Sequence, residues 1–183
     1  MSDLTITTAG VAQTAEAGFD NKKGAVIRVT PTIATAAYAA GDVLFVPTEI
    51  PKAVNQRGGL SRLIGGYVLS EDSQTPYIQL IFTQKNTAFG TINDTADLAF
   101  DSVVASNVIG AMETSNAAYI SVLDNCQVAQ MEGLGGSSEQ PPTLLLRAES
   151  DSTSVYVQGI VTTGTPDFSN TDGIQLVLHI EYL

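Results

Sequence analysis

The chain has 183 residues, 44% of them hydrophobic, and 19 acidic against 8 basic residues give a formal charge of −11. That length suits one domain able to bury about 70% of its unfolded surface, and that charge opposes condensation on nucleic acid or an anionic membrane. The single cysteine, Cys126, excludes an intrachain disulfide framework and a cysteine-based zinc site.

Residues 1–24 are rich in Thr, Ala and Gly with weak alternation, and read as an N-terminal arm ahead of a single β-sandwich domain over 25–183. The arm is open to two readings, an unfixed terminus or a segment pairing with a neighbouring subunit. Met1 to Thr8 lack the basic and apolar regions of a signal peptide, and no apolar run approaches the roughly 20 residues of a membrane helix. A cytoplasm is the expected place of synthesis.

Period-two alternation predicts strands over Gly24 to Thr30, Asp42 to Val46, Leu60 to Leu69 and Tyr77 to Thr83. Asn93 to Ala105, with acidic residues ahead of small and apolar ones, predicts a turn or two of helix in a connection. Further strands follow over Asn107 to Met112, Thr143 to Glu149, Ser154 to Val161 and Ile174 to Leu183. The last has the clearest pattern: Ile174, Leu176, Leu178, Ile180 and Tyr182 share one face, and Gln175, Val177, His179 and Glu181 the other. Residues 132–142, rich in Gly, Ser and Pro, read as a loop. The turn-like Ser70 to Pro76 and Glu149 to Thr153 each sit between two strand patterns and predict hairpins. The sum is an all-β fold, an antiparallel two-sheet β-sandwich of about eight strands, jelly-roll-like, with at most one or two short helices.

No reactive constellation stands out, so the chain is not expected to be an enzyme, and no cofactor or metal is expected. His179, the one histidine, stands on the polar side of its strand, away from any evident nucleophile. The acids Glu71-Asp72, Asp94, Asp97, Glu149 and Asp151 fall in or beside turns, where carboxylates cap their own backbone. Asp167 to Gly173 has oxygen-ligand spacing but no distal bidentate Glu of a calcium loop. The pairs Gly58-Gly59, Gly65-Gly66 and Gly135-Gly136 match no phosphate-binding fingerprint and read as turns, bulges or close approaches. Cys126 has no neighbouring base to activate it.

One long stretch carries more information, Thr30-Pro-Thr-Ile-Ala-Thr-Ala-Ala-Tyr-Ala-Ala-Gly-Asp-Val-Leu-Phe-Val-Pro-Thr-Glu-Ile-Pro-Lys-Ala-Val, closing on Arg57-Gly58-Gly59. With Ile78-Gln-Leu-Ile-Phe, Ala148-Glu-Ser-Asp-Ser-Thr-Ser-Val-Tyr-Val-Gln-Gly-Ile-Val-Thr, Gly164-Thr-Pro and the alternating final strand, it resembles virion structural proteins of tailed bacteriophages. Within that group it is most similar to the capsid decoration, or cement, proteins. The resemblance implies a β-sandwich that binds the outer surface of the major capsid protein lattice and stabilises the head. It also implies assembly in the host cytoplasm and no nucleic acid or membrane partner. Exposed edges on a Thr/Val-rich sandwich further suggest a homodimer or homotrimer. Tyr38, Phe45, Lys52, Arg57 and Arg62, in or beside the family-like stretch, are the candidate capsid or subunit contacts. Two alternatives stay open: a tail or baseplate structural protein, and a carbohydrate-binding or hydrolytic jelly roll.

Overall fold

A computed structural model describes residues 23–114, 119–123, 126–134 and 143–183. The expected arm, but for Lys23 and Gly24, and most of the expected 132–142 loop lie outside them. Among the described residues the chain forms β1 (Gly24–Val29), β2 (Val43–Ile50), β3 (Leu60–Glu71), β4 (Tyr77–Thr83) and α1 (Phe100–Ala105). There follow β5 (Val108–Thr114), β6 (Tyr119–Leu123), β7 (Cys126–Gln130), β8 (Glu132–Gly133), β9 (Leu144–Arg147), β10 (Val155–Thr163) and β11 (Ile174–Tyr182).

The strands make two antiparallel sheets. One runs β1-β11-β3-β7-β6, with β9 also paired to β3; the other runs β2-β10-β4-β5-β8. The twelve-residue β3 takes β9 along Leu60–Leu63 and β7 along Tyr67–Glu71, on the edge away from β11. Leaving aside β6, β7 and β8, the framework is β1-β11-β3-β9 over β2-β10-β4-β5, the strand order of an eight-stranded jelly roll. Those eight framework strands are the eight that alternation predicts. The other three form an insertion between β5 and β9.

Both expected hairpins are overturned. β3 and β4 lie in opposite sheets, and β9 pairs with β3 while β10 pairs with β2 and β4. Turn-forming residues bend the chain without deciding where it goes next, and here other loops capture each bend. After β3, Asp72 and Ser73 adopt φ of 56° and 59°, and the Asp72 carboxylate accepts the Ser169 N–H at 2.7 Å. At the opposite end Val54 N–H donates to Thr153 O at 3.1 Å and Gly58 N–H to Ser152 O at 3.0 Å. Each bend is thereby tied into a bundle of loops closing one end of the sandwich.

Alternation sets the core between the sheets. Ile174, Leu176, Leu178 and Ile180 of β11 and Ile78, Leu80 and Phe82 of β4 are buried in one continuous cluster. Each such side chain contributes roughly 1.5–3 kcal/mol on burial. Phe45 fills this core against Gly159 of β10, where a Cβ would stand 2.4 Å from the Phe45 ring. The β2–β10 register shifts at this same pair. Glycine gives the ring its space, and the bulge re-aims the strand.

The outer face of the second sheet is covered by the 84–107 connection. Phe89 packs on Ile81 and Ile160 in a separate small cluster. The buried Gln158 side chain fixes this cover, accepting the Phe89 N–H at 3.1 Å and donating to Thr87 O at 3.3 Å. The expected short helix, α1, belongs to this connection.

Candidate interaction surface

The structure separates the five sequence candidates into two groups. Tyr38 and Phe45 are 1% and 0% exposed, so neither is available to a partner in this fold, which corrects their reading as contacts. The reason for Tyr38 is a pair of hydrogen bonds: its hydroxyl accepts the Ala34 N–H at 2.6 Å and donates to Leu44 O at 3.1 Å. Its ring meets Phe168 edge-on at 6.2 Å, and burial pushes its phenol pKa up. Tyr38 thus pins the 30–42 loop to the core. Phe45 sits beneath Gly159, as described above.

Lys52, Arg57 and Arg62 are exposed and lie at the same end of the sandwich. Lys52 has a left-handed φ of 56° in the β2–β3 loop, and its carbonyl accepts the Tyr182 hydroxyl at 2.9 Å. Arg62 is paired with Glu181 of the neighbouring strand at 2.7 Å, a solvated pair worth little stability. Arg57 and Arg147 border a depression of about 430 Å³ together with Gln84 and Glu149.

A larger feature lies on the outer face of the first sheet. Val26, Leu60, Ile64, Tyr67, Ile120 and Leu145 come from four strands and are all exposed, Ile120 at 70% and Val26 at 60%. The register places Val26 opposite His179, Ile120 opposite Val128 and Leu145 opposite Arg62 on this face. A sheet face that meets only water is usually polar at these alternate positions. A second apolar group sits on the other side of the molecule, where Leu98, Phe100 and Val104 of the α1 region are exposed, Phe100 at 80%. Asp97 anchors the approach to α1, accepting the Ala99 N–H at 3.0 Å and the Ser102 hydroxyl at 2.9 Å. These bonds hold its carboxyl pKa below the usual value.

The outward apolar residues escape a reading that looks for a core face first. Their signal was present: Leu60, Ile64 and Tyr67 occupy positions of β3 that face away from the core. Lys23, Lys85 and Arg147 carry no such signal, because only the fold brings them toward Lys52 and Arg57.

Other groups with chemical potential are placed in ordinary settings. His179 meets the Tyr67 ring edge-on at 5.7 Å on the outer sheet face. Cys126 is half-buried beside a shallow depression of about 340 Å³ that Glu71 and Asp172 also border. Glu71 accepts the Asn170 amide at 3.0 Å, so this carboxylate serves loop closure. Among the described residues no group of three His, Cys, Asp or Glu is arranged to hold a metal ion. No helix among them is long and apolar enough to cross a membrane. Compared with known proteins, the chain matches no protein-family model and no curated relative.

Proposed function

We propose that this chain is a decoration protein of a tailed-phage capsid, binding the outer surface of the major capsid protein lattice and stabilising the head without catalysis. The observation that carries the reading is the set of apolar side chains exposed, among the described residues, on the outer face of the first sheet, presented by a jelly roll with a buried core of its own. Exposed apolar groups gathered on one face mark a surface that is buried in an assembly. The resemblance of the 30–59 stretch to phage virion proteins supplies the kind of assembly. A homo-oligomer is part of the proposal, since both sheets end in edge strands, β1 and β2, among the described residues. Separating virions into tail-free heads and head-free tails tests it. The protein is expected in the head fraction, in a fixed ratio to the major capsid protein; recovery with tails alone would give the reading to the tail or baseplate alternative.

A further inference from the structure

The cations of this acidic protein are not scattered. Of the seven Lys and Arg among the described residues, six lie at the end of the sandwich where β1 and β3 begin and β11 ends: Lys23, Lys52, Arg57, Arg62, Lys85 and Arg147. The hydrogen bonds of that end show the convergence. Tyr182 N–H donates to Lys23 O, Lys85 N–H to Ser106 O and the Gln84 amide to Arg147 O, while Leu60 pairs with Arg147. Among the described side chains four carboxylates share the end, Glu49, Glu149, Asp151 and Glu181, so six cationic side chains face four anionic ones. Two of the four are engaged within the chain, Glu181 with Arg62 and Glu49 with the Ser154 hydroxyl at 2.6 Å. Neither Arg57 nor Arg147 has an ion-pair partner among the described residues, and both border the same depression.

The opposite end is its electrostatic inverse. Asp42, Glu71, Asp72, Asp94, Asp167 and Asp172 gather there, and Arg28, whose guanidinium donates to the Gln175 amide oxygen at 3.5 Å, is the one Lys or Arg toward that end among the described residues. Loop contacts such as Ser169 N–H to the Asp72 carboxylate and Glu71 N–H to Gly173 O hold them together. A nine-residue strand such as β11 spans about 30 Å, and screening in physiological salt acts over about 8 Å. Each end therefore presents its own local charge to a partner, and the overall −11 does not cancel the basic one.

We infer that the basic end is the docking end, and that it takes a carboxylate-rich protein surface, with Arg57 and Arg147 as the principal anchors. Resting on the function proposed above, that surface belongs to the capsid lattice, and the acidic end points away from the shell. Guanidinium groups suit carboxylates because their planar donors meet both oxygens at once. A net-acidic partner is otherwise repelled by this chain, so a local basic end fixes its orientation as well as its contact.

The test uses the full chain, the exposed double variant Arg57→Glu/Arg147→Glu, and Asp72→Asn/Asp167→Asn as a control at the other end. Equal melting temperatures establish folding, and Arg57→Gln/Arg147→Gln replaces the reversal if they differ. Each protein is measured on tail-free heads lacking it and on polyglutamate-coated beads, at low and high salt. The expected result is binding of the wild type that weakens with salt, falls at least ten-fold in the arginine variant and is kept by the control. Binding to heads equally by wild type and arginine variant would overturn the docking end and leave the decoration role standing. No binding of the wild type to heads would remove the decoration role, and the beads would then decide. Retention lost in the arginine variant alone supports a carboxylate-binding end, and equal or absent retention overturns it. Salt-sensitive head-to-tail self-association abolished by either variant would assign the basic end to a second copy and overturn the inference.

Discussion

Replacing Tyr38 by Phe isolates the two hydrogen bonds that convert a surface-like tyrosine into a core anchor. The ring stays, so its edge contact with Phe168 and its packing are retained; only the hydroxyl is lost. Leu44 is buried, and its carbonyl loses the Tyr38 donor at a cost of about 1–3 kcal/mol. Ala34 is half-buried, so its N–H can recruit water and costs less, about 0.5–1 kcal/mol. Together these come to about 1.5–4 kcal/mol, and a chain of this size loses about 2–4 °C of melting temperature per kcal/mol. Thermal unfolding followed by calorimetry should therefore show a drop of about 3–16 °C. Binding to heads at 20 °C should be unchanged, since Tyr38 touches no partner. A melting temperature within 1 °C of wild type would refute the bonded, buried hydroxyl; preserved stability with lost binding would return Tyr38 to the interface.

Three further outcomes follow from the packing. Gly159→Ala places a methyl against the Phe45 ring and should destabilise by about 1–3 kcal/mol through overpacking; an unchanged urea midpoint would contradict that contact. Gln158→Leu unties the 84–107 connection, so amide exchange at Phe89 should accelerate while that of Leu178 in the core stays slow. On the alkaline side Tyr38 and Tyr119 should leave stability unchanged from neutral pH to about pH 10 and lower it above that, because burial raises their phenol pKa values in the folded state. Between the unfolded and folded values the native state holds protons that the unfolded state has released. Stability is then lost at up to about 1.4 kcal/mol per pH unit for each tyrosine, and Tyr38→Phe should reduce the slope of an alkaline urea series.

The framework of the fold was legible because a half-buried strand places its core residues at every second position, as Ile174, Leu176, Leu178 and Ile180 of β11 and Ile78, Leu80 and Phe82 of β4 do. The insertion strands were not: Cys126-Gln-Val-Ala-Gln and Glu132-Gly are short and poor in β-branched residues. Tyr119-Ile-Ser-Val-Leu of β6 did carry a β-rich signal that could have located it. Sheet assignment failed at both expected hairpins because turn composition describes a bend, while partner choice depends on loops a hundred residues away, as with Asp72 and Ser169. Tyr38 and Phe45 misled for a related reason. Aromatic residues in an extended, proline-punctuated stretch suit a contact loop as well as a core, and only Leu44 and Gly159 in three dimensions separate the two. The basic end was half visible, in Lys52, Arg57 and Arg62, and completed by Lys23, Lys85 and Arg147 from elsewhere in the chain.

The decoration role is tested most directly by adding the purified protein to heads that lack it and imaging them by electron cryomicroscopy, with head melting followed in parallel. New density is expected at repeated lattice positions on the outer surface, with heads that open at a higher temperature. Bare heads at saturating protein, with an unchanged opening temperature, would contradict it.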